Sequence, residues 1–82
     1  MYVTDWCPYC DRARSLLAEK GARIEEIDVE VVPGAREEMR ARSGRDTVPQ
    51  IFIGESHVGG CDDLQALDED GRLDPLLKQT EP

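Results

Sequence analysis

Residues 7–10 read Cys7-Pro8-Tyr9-Cys10, two cysteines with two residues between them, set where a short run of β-forming residues gives way to a helical pattern. A thiol reacts as its thiolate, so a working cysteine needs surroundings that favour negative charge near neutral pH. A helix N-terminus is such a place, because its unpaired N–H groups and its dipole both present positive charge. Pro8 suits the first helical position: it has no N–H to leave unpaired, and its φ is already near the helical value. The second thiol lies about one turn along the same face, so a mixed disulfide formed at Cys7 can be resolved by Cys10. The pair therefore demands a strand that ends and a helix that begins at one redox-capable turn.

A C-x-x-C pair is also half of a zinc site, which needs two more ligands. Outside the motif only Cys61 and the single histidine, His57, offer comparable softness, and Gly59-Gly60 between them is not a knuckle spacing. The βαβ setting of the motif decides for dithiol redox chemistry. No metal site is expected.

The 82 residues suffice for one domain, expected to span the whole chain, with a limited core. No apolar run approaches the roughly 20 residues of a membrane span, and the N-terminus lacks the basic-then-apolar order of a secretory signal. The expected compartment is the cytoplasm. Three cysteines, one close pair and one spare, fit a catalytic dithiol better than a secreted disulfide framework. With 18 acidic residues against 10 basic ones the formal charge is −8, which argues against nucleic acid or an anionic membrane as partner. The arginines cluster, however, at Arg36, Arg40, Arg42 and Arg45, where a small anion would be welcome.

Taken in order, residues 1–4 read as a short strand leading into the dithiol turn, with Trp6 expected to pack at the rim of the site in preference to contacting substrate directly. Residues 8–20 are helical, Ala13, Leu16 and Leu17 forming the apolar side, and Gly21 closes the helix. Alternation over residues 24–29 predicts a second strand, parallel to the first through a right-handed crossover. After the Val32-Pro33-Gly34 turn a second helix runs from residue 35 to 41 or 42, with Met39 as its core residue. Residues 47–53 are β-rich, and Gly54-Glu55 is a hairpin turn into a brief strand at His57-Val58. Pro49 removes a ladder donor, so it is either the strand's first residue or a cis-proline in a tight turn beside the site. Gly59-Gly60-Cys61-Asp62-Asp63 turns into a helix carrying Leu64 and Leu67, with both aspartates at its positive end. Leu73, Leu76 and Leu77 suggest a closing turn of helix, and residues 79–82 a frayed tail.

The order β-α-β-α-β-β-α, with a dithiol at the first strand-to-helix junction, is that of the minimal thioredoxin fold, an α/β class with a four-stranded mixed sheet flanked by helices. Within it, four stretches resemble dithiol glutaredoxins of the bacterial glutaredoxin 3 type: Cys7-Pro8-Tyr9-Cys10, the approach Arg42-Ser43-Gly44-Arg45, the run Thr47-Val48-Pro49-Gln50-Ile51-Phe52-Ile53, and Gly59-Gly60-Cys61-Asp62-Asp63-Leu64. The match spans nearly the whole chain. It implies that Cys7 attacks and carries a mixed disulfide with glutathione, while Cys10 resolves protein disulfides. It implies too that Val48, before a cis Pro49, pairs its backbone with the glutathione cysteine as an added strand would. The γ-glutamyl carboxylate would then sit on N–H groups beyond Gly60, at Cys61 and Asp62, with a carboxylate there meeting the amino group. Tyr9 and Thr47 would line the groove, and Arg36 matches a residue that holds the glycyl carboxylate.

On this resemblance the chain is a glutathione-dependent thiol-disulfide oxidoreductase with no tightly bound cofactor, acting as a monomer in the cytoplasm. Its partners would be glutathione, disulfide-containing or glutathionylated proteins and, through glutathione, an NADPH-linked glutathione reductase. Two departures stand out. Thr4 occupies the position of a lysine usual in the family, which leads us to expect weaker glutathione binding or a less acidic Cys7, and the first strand starts a few residues later than usual, which should loosen the sheet. Asp5 and Asp11 would oppose the helix dipole if close to the dithiol. The sulfur of Cys61 is expected to be a small buried group whose backbone serves, and His57 a strand residue at the sheet's edge. Two rival functions remain: a homodimer carrying an iron–sulfur cluster on Cys7 thiolates and glutathione, against which Pro8 weighs, and a thioredoxin-like protein reduced by a flavin reductase, toward which Trp6 points.

Overall fold

The computed structural model describes residues 1–80 of the chain. Eight elements follow in the order β1 (Tyr2–Val3), α1 (Pro8–Glu19), β2 (Ile27–Asp28), α2 (Ala35–Ser43), β3 (Ile51–Ile53), β4 (Ser56–Gly59), α3 (Cys61–Glu69) and α4 (Leu73–Thr80). β1 and β2 pair in parallel, Tyr2 opposite Ile27 and Val3 opposite Asp28. β3 and β4 form an antiparallel hairpin, irregular between Ile51 and Phe52. A single antiparallel bridge, Tyr2 to Gln50, joins the two ladders, with both N–H···O bonds made at 2.9 and 3.1 Å.

The expected α/β order is therefore present, but the sheet is two short ladders stitched at one residue pair rather than four continuous strands. Two features explain this. β1 is two residues long, so β2, expected over residues 24–29, has ladder partners only from Ile27, whose N–H reaches Met1 O. Pro49 has no N–H to offer β1, so the run expected over residues 47–53 becomes regular strand only at Ile51. At the C-terminus Gln79 and Thr80 belong to α4 rather than to a frayed tail, because the leucines of α4 anchor it; residues 81–82 of that expected tail lie outside the described residues.

Strand alternation sorts the core onto two faces. Ile51 and Ile53 point to one side, where Ala13 and Leu17 of α1, Cys61 and Leu64 of α3 and Leu73 of α4 are all buried with them. Phe52 points to the other, where it packs with Tyr2, Val29, Ala35 and the fully buried Met39 of α2. Burial of each such side chain contributes about 1.5–3 kcal/mol. Tyr2 is the polar member of the second cluster: its hydroxyl donates to Glu38 and accepts from Arg42 at 2.9 Å, and the Arg42 guanidinium lies 4.2 Å from the Phe52 ring centroid. β1 and β2 run toward the turn that carries Cys7, β3 starts there and β4 returns there, so one end of the sheet collects four loops, of which those leaving β1, entering β3 and leaving β4 form the site.

Candidate active site

Cys7 is the N-cap of α1, in extended conformation, and Pro8 takes the first helical position. The Cys7 carbonyl accepts the first intrahelical bond from the Asp11 N–H at 3.0 Å, and Cys7 Sγ accepts the Cys10 N–H at 3.1 Å. Sulfur thus occupies the place that a capping oxygen takes elsewhere, and the donor that would support a thiolate already points at it. Cys7 and Cys10 are joined as a disulfide, their Cα atoms 5.1 Å apart. The two sulfurs differ in access: Cys10 is 0% exposed, Cys7 partly open.

The Val48–Pro49 peptide is cis, which settles the two options for Pro49 in favour of the turn beside the dithiol. Cys7 Sγ lies 4.0 Å from Val48 O. The third loop closes on the second, since a Cβ placed on Gly60 would sit 3.6 Å from Pro49 O. Cys7, Val48, Pro49 and Gly60 are therefore one neighbourhood. Beyond Gly60 begins α3, whose first-turn N–H groups have no intrahelical acceptors. Cys61 opens that helix and is buried; burial first, and the Asp62 charge second, push its thiol up, away from the reactive range. Asp62 is exposed beside it.

Gly59 has φ 115°, where any side chain is strained, and a Cβ there would come 2.3 Å from Asp63 Oδ2, so the Asp63 side chain would have to shift. Asp63 accepts the Gly60 N–H at 2.9 Å and an Arg45 N–H at 2.9 Å, and these bonds, Gly60 first, hold its carboxyl below the usual range. Sequence reasoning missed this Arg45–Asp63 clasp, although an acidic residue three places after a helix N-cap is its signature. It also missed Gln50. This amide, 1% exposed, donates to Thr47 O at 2.9 Å and Thr47 Oγ1 at 3.2 Å, and its Oε1 meets His57 Nε2 at 2.8 Å. A polar residue within an apolar β run was the available signal. His57, exposed on β4 and stacked on Phe52 at 4.8 Å, is tied to the second loop through Gln50.

The remaining expected residues sit farther out. Tyr9 is half exposed in the first turn of α1, with the Arg12 guanidinium 5.7 Å from its ring centroid. Arg36, in the first turn of α2, reaches Asp46 at 3.4 Å and Glu30 at 4.0 Å, and Asp46 precedes the exposed Thr47 in the chain. Trp6 departs from expectation. It does not pack at the rim: it is 99% exposed, and its φ of 56° is left-handed. That conformation costs an L-residue about 1–2 kcal/mol, and the turn from β1 to the Cys7 cap directs the indole into solvent.

Among the described residues no group of three or more His, Cys, Asp and Glu side chains is arranged to hold a metal ion, and no helix is long and apolar enough to cross a membrane. The Glutaredoxin family model matches residues 1–58. The chain is 56% identical over 78 residues to glutaredoxin 3 of Escherichia coli strain K12, covering 95% of this chain and 94% of that protein. It superposes on the solution structure of a Brucella melitensis glutaredoxin with TM-score 0.83 and 58% identity, over 99% of this chain and 88% of that one. A buckwheat glutaredoxin–glutathione complex matches with TM-score 0.89 and 32% identity, over 96% of this chain and 74% of that one.

Proposed function

The chain belongs to the glutaredoxin family, and from that premise we propose that it is a glutathione-dependent thiol-disulfide oxidoreductase in which Cys7 attacks and Cys10 resolves. The observation that carries the assignment is the difference in access, an open Cys7 at the helix cap against a fully buried Cys10.

In the reduced protein the Cys7 thiolate attacks one sulfur of a substrate disulfide; a Cys7–substrate bond forms, the substrate S–S bond breaks, and the other substrate sulfur leaves as a thiolate that takes up a proton. The Cys10 thiolate then attacks Cys7 Sγ, closing the Cys7–Cys10 disulfide and releasing the second substrate thiol. One glutathione thiolate reopens it at Cys7, expelling Cys10, and a second attacks the glutathione sulfur, so that glutathione disulfide leaves and both protein thiols are restored. A glutathione mixed disulfide needs only Cys7. NADPH-linked glutathione reductase supplies electrons indirectly, and no resident cofactor takes part.

For the tripeptide we assign an extended pose. Val48 pairs with the glutathione cysteine backbone, Pro49 keeps that segment turned toward Cys7, and Tyr9 and Thr47 form the groove walls. The γ-glutamyl carboxylate meets the N–H groups at Cys61 and Asp62 beyond Gly60, where a helix start favours an anion, and the Asp62 carboxylate meets the amino group. Arg36 takes the glycyl carboxylate; its present partners are long, exposed contacts that an anion can displace. We propose further that the protein acts as a monomer, in the cytoplasm, where thiols stay reduced. Glutathionylated and disulfide-bonded proteins are the substrates.

Two variants test the division of labour, assayed through NADPH consumption with added glutathione reductase. Cys10→Ser retains turnover of a small glutathione mixed disulfide and loses most protein-disulfide reduction, while Cys7→Ser abolishes both. Loss of both activities in folded Cys10→Ser contradicts the assigned roles.

A further inference from the structure

We propose that Trp6 is the specificity-determining residue for polypeptide substrates, gripping an apolar side chain that flanks the target cystine. The proposal rests on the assignment of Cys7 as the attacking sulfur. Three observations carry it. Trp6 is 99% exposed at φ 56°, so a large aromatic residue is held in a disfavoured conformation and gains no burial in return. Such an arrangement adds nothing to folding and points to use by the site. Trp6 directly precedes the N-cap sulfur, and Tyr9, 54% exposed, follows it within the first helical turn, so the open sulfur has an aromatic residue on either side along the chain.

The chemistry itself says what covers the indole. Whatever is bonded to Cys7 Sγ during turnover brings its own backbone within a residue or two of Trp6. The convergence of Val48, Pro49 and Gly60 on Cys7 offers a tripeptide its contacts, whereas Trp6 stands almost wholly in solvent. Glutathione then leaves the indole uncovered, and a longer chain does not. Asp5, Asp11 and Asp62 are exposed nearby in sequence or at the α3 start, and the chain carries a net charge of −8, so an acidic flank is disfavoured, while the indole itself is what suits an apolar or aromatic one. Exposed aromatic anchors of this kind contribute strongly to interfaces because they lose little conformational freedom on burial.

The kinetic test compares wild type, Trp6→Ala and Trp6→Phe on insulin disulfides and on the glutathione mixed disulfide of 2-mercaptoethanol. The expected result is a kcat/KM for insulin lowered roughly tenfold in Trp6→Ala and largely restored in Trp6→Phe, with the small substrate changed less than about twofold. Equal effects on both substrates, or none on insulin, overturn the proposal. Inactivity of wild type on both substrates instead contradicts the Cys7 assignment. A second measurement does not depend on turnover. Trp6 is the only tryptophan, so its emission in Cys10→Ser, coupled through Cys7 to short activated peptides with leucine or serine beside their cysteine, reads its burial directly. A blue shift with the leucine peptide and none with glutathione supports the grip; identical emission in all adducts overturns it.

Discussion

At one end of the sheet the chain leaves β1, enters β3 and leaves β4 through backbone conformations: Trp6 at φ 56°, a cis Val48–Pro49 bond and Gly59 at φ 115°. At the opposite end the structure rests on side chains, with Met1, Leu17, Ile24, Ile53 and Leu77 lining a groove of about 340 Å³ and Arg42 laid over Phe52. The first end presents a sulfur, main-chain groups and an indole to solvent; the second presents an apolar-lined groove beside the packed core. The two should therefore respond to substitution in opposite ways, with stability lost where side chains pack and chemistry lost where loops meet.

The largest expected effect on stability lies in the core. Leu73, fully buried at the start of α4 with Leu17 and Ile53, should cost about 2–5 kcal/mol as Leu73→Ala, read by denaturant unfolding. Turnover per folded molecule should stay unchanged at low temperature; a matching loss of kcat/KM would break the division between the two ends.

Gly59→Ala probes the other side. Its Cβ collides with Asp63, and a left-handed backbone must accept a side chain, so about 1–3 kcal/mol of stability should go. Because the displaced Asp63 releases Gly60, the KM for glutathione should rise several-fold as well. An unchanged KM with lowered stability would separate the clasp from the binding loop.

The smallest effect concerns pH. Asp63 has its carboxyl held below 3.8 by Gly60 and Arg45, so the clasp contributes fully above that value and is lost as pH falls through the lower folded one. Half exposed, it amounts to about a few tenths of a kcal/mol. Asp63→Asn should lower neutral-pH stability by that amount and flatten the acid limb of the stability curve, while a variant as steep as wild type would remove Asp63 from the account.

What could be read from the chain follows the same division. Local signals placed α1 correctly: a proline at the first position, Ala13 and Leu17 on one face, Gly21 at the close. They also marked the hairpin at Gly54-Glu55 and the helix beginning at Cys61. Strand lengths were not legible, because pairing is a property of two segments: residues 24–26 alternate like a strand yet have no strand opposite them. The dithiol, the proline turn and the glycine pair could be named because each needs a residue type that few others replace. Gln50 and Asp63 carry a local signal of position, a polar residue in an apolar run and an acid three places after an N-cap, but their partners do not: Thr47, His57 and Arg45 meet them only once the chain has folded. Trp6 was misjudged for a related reason: large aromatics are usually buried, and nothing local announces a left-handed turn at a tryptophan.

The most direct test of the account is the order in which the thiols of the fully reduced protein react. With limiting iodoacetamide at neutral pH and peptide mapping by mass spectrometry, label should appear at Cys7 well before Cys10 and Cys61, both of which are buried. Early label at Cys10 or Cys61, with the fold intact, would contradict the claim that the open cap sulfur is the nucleophile.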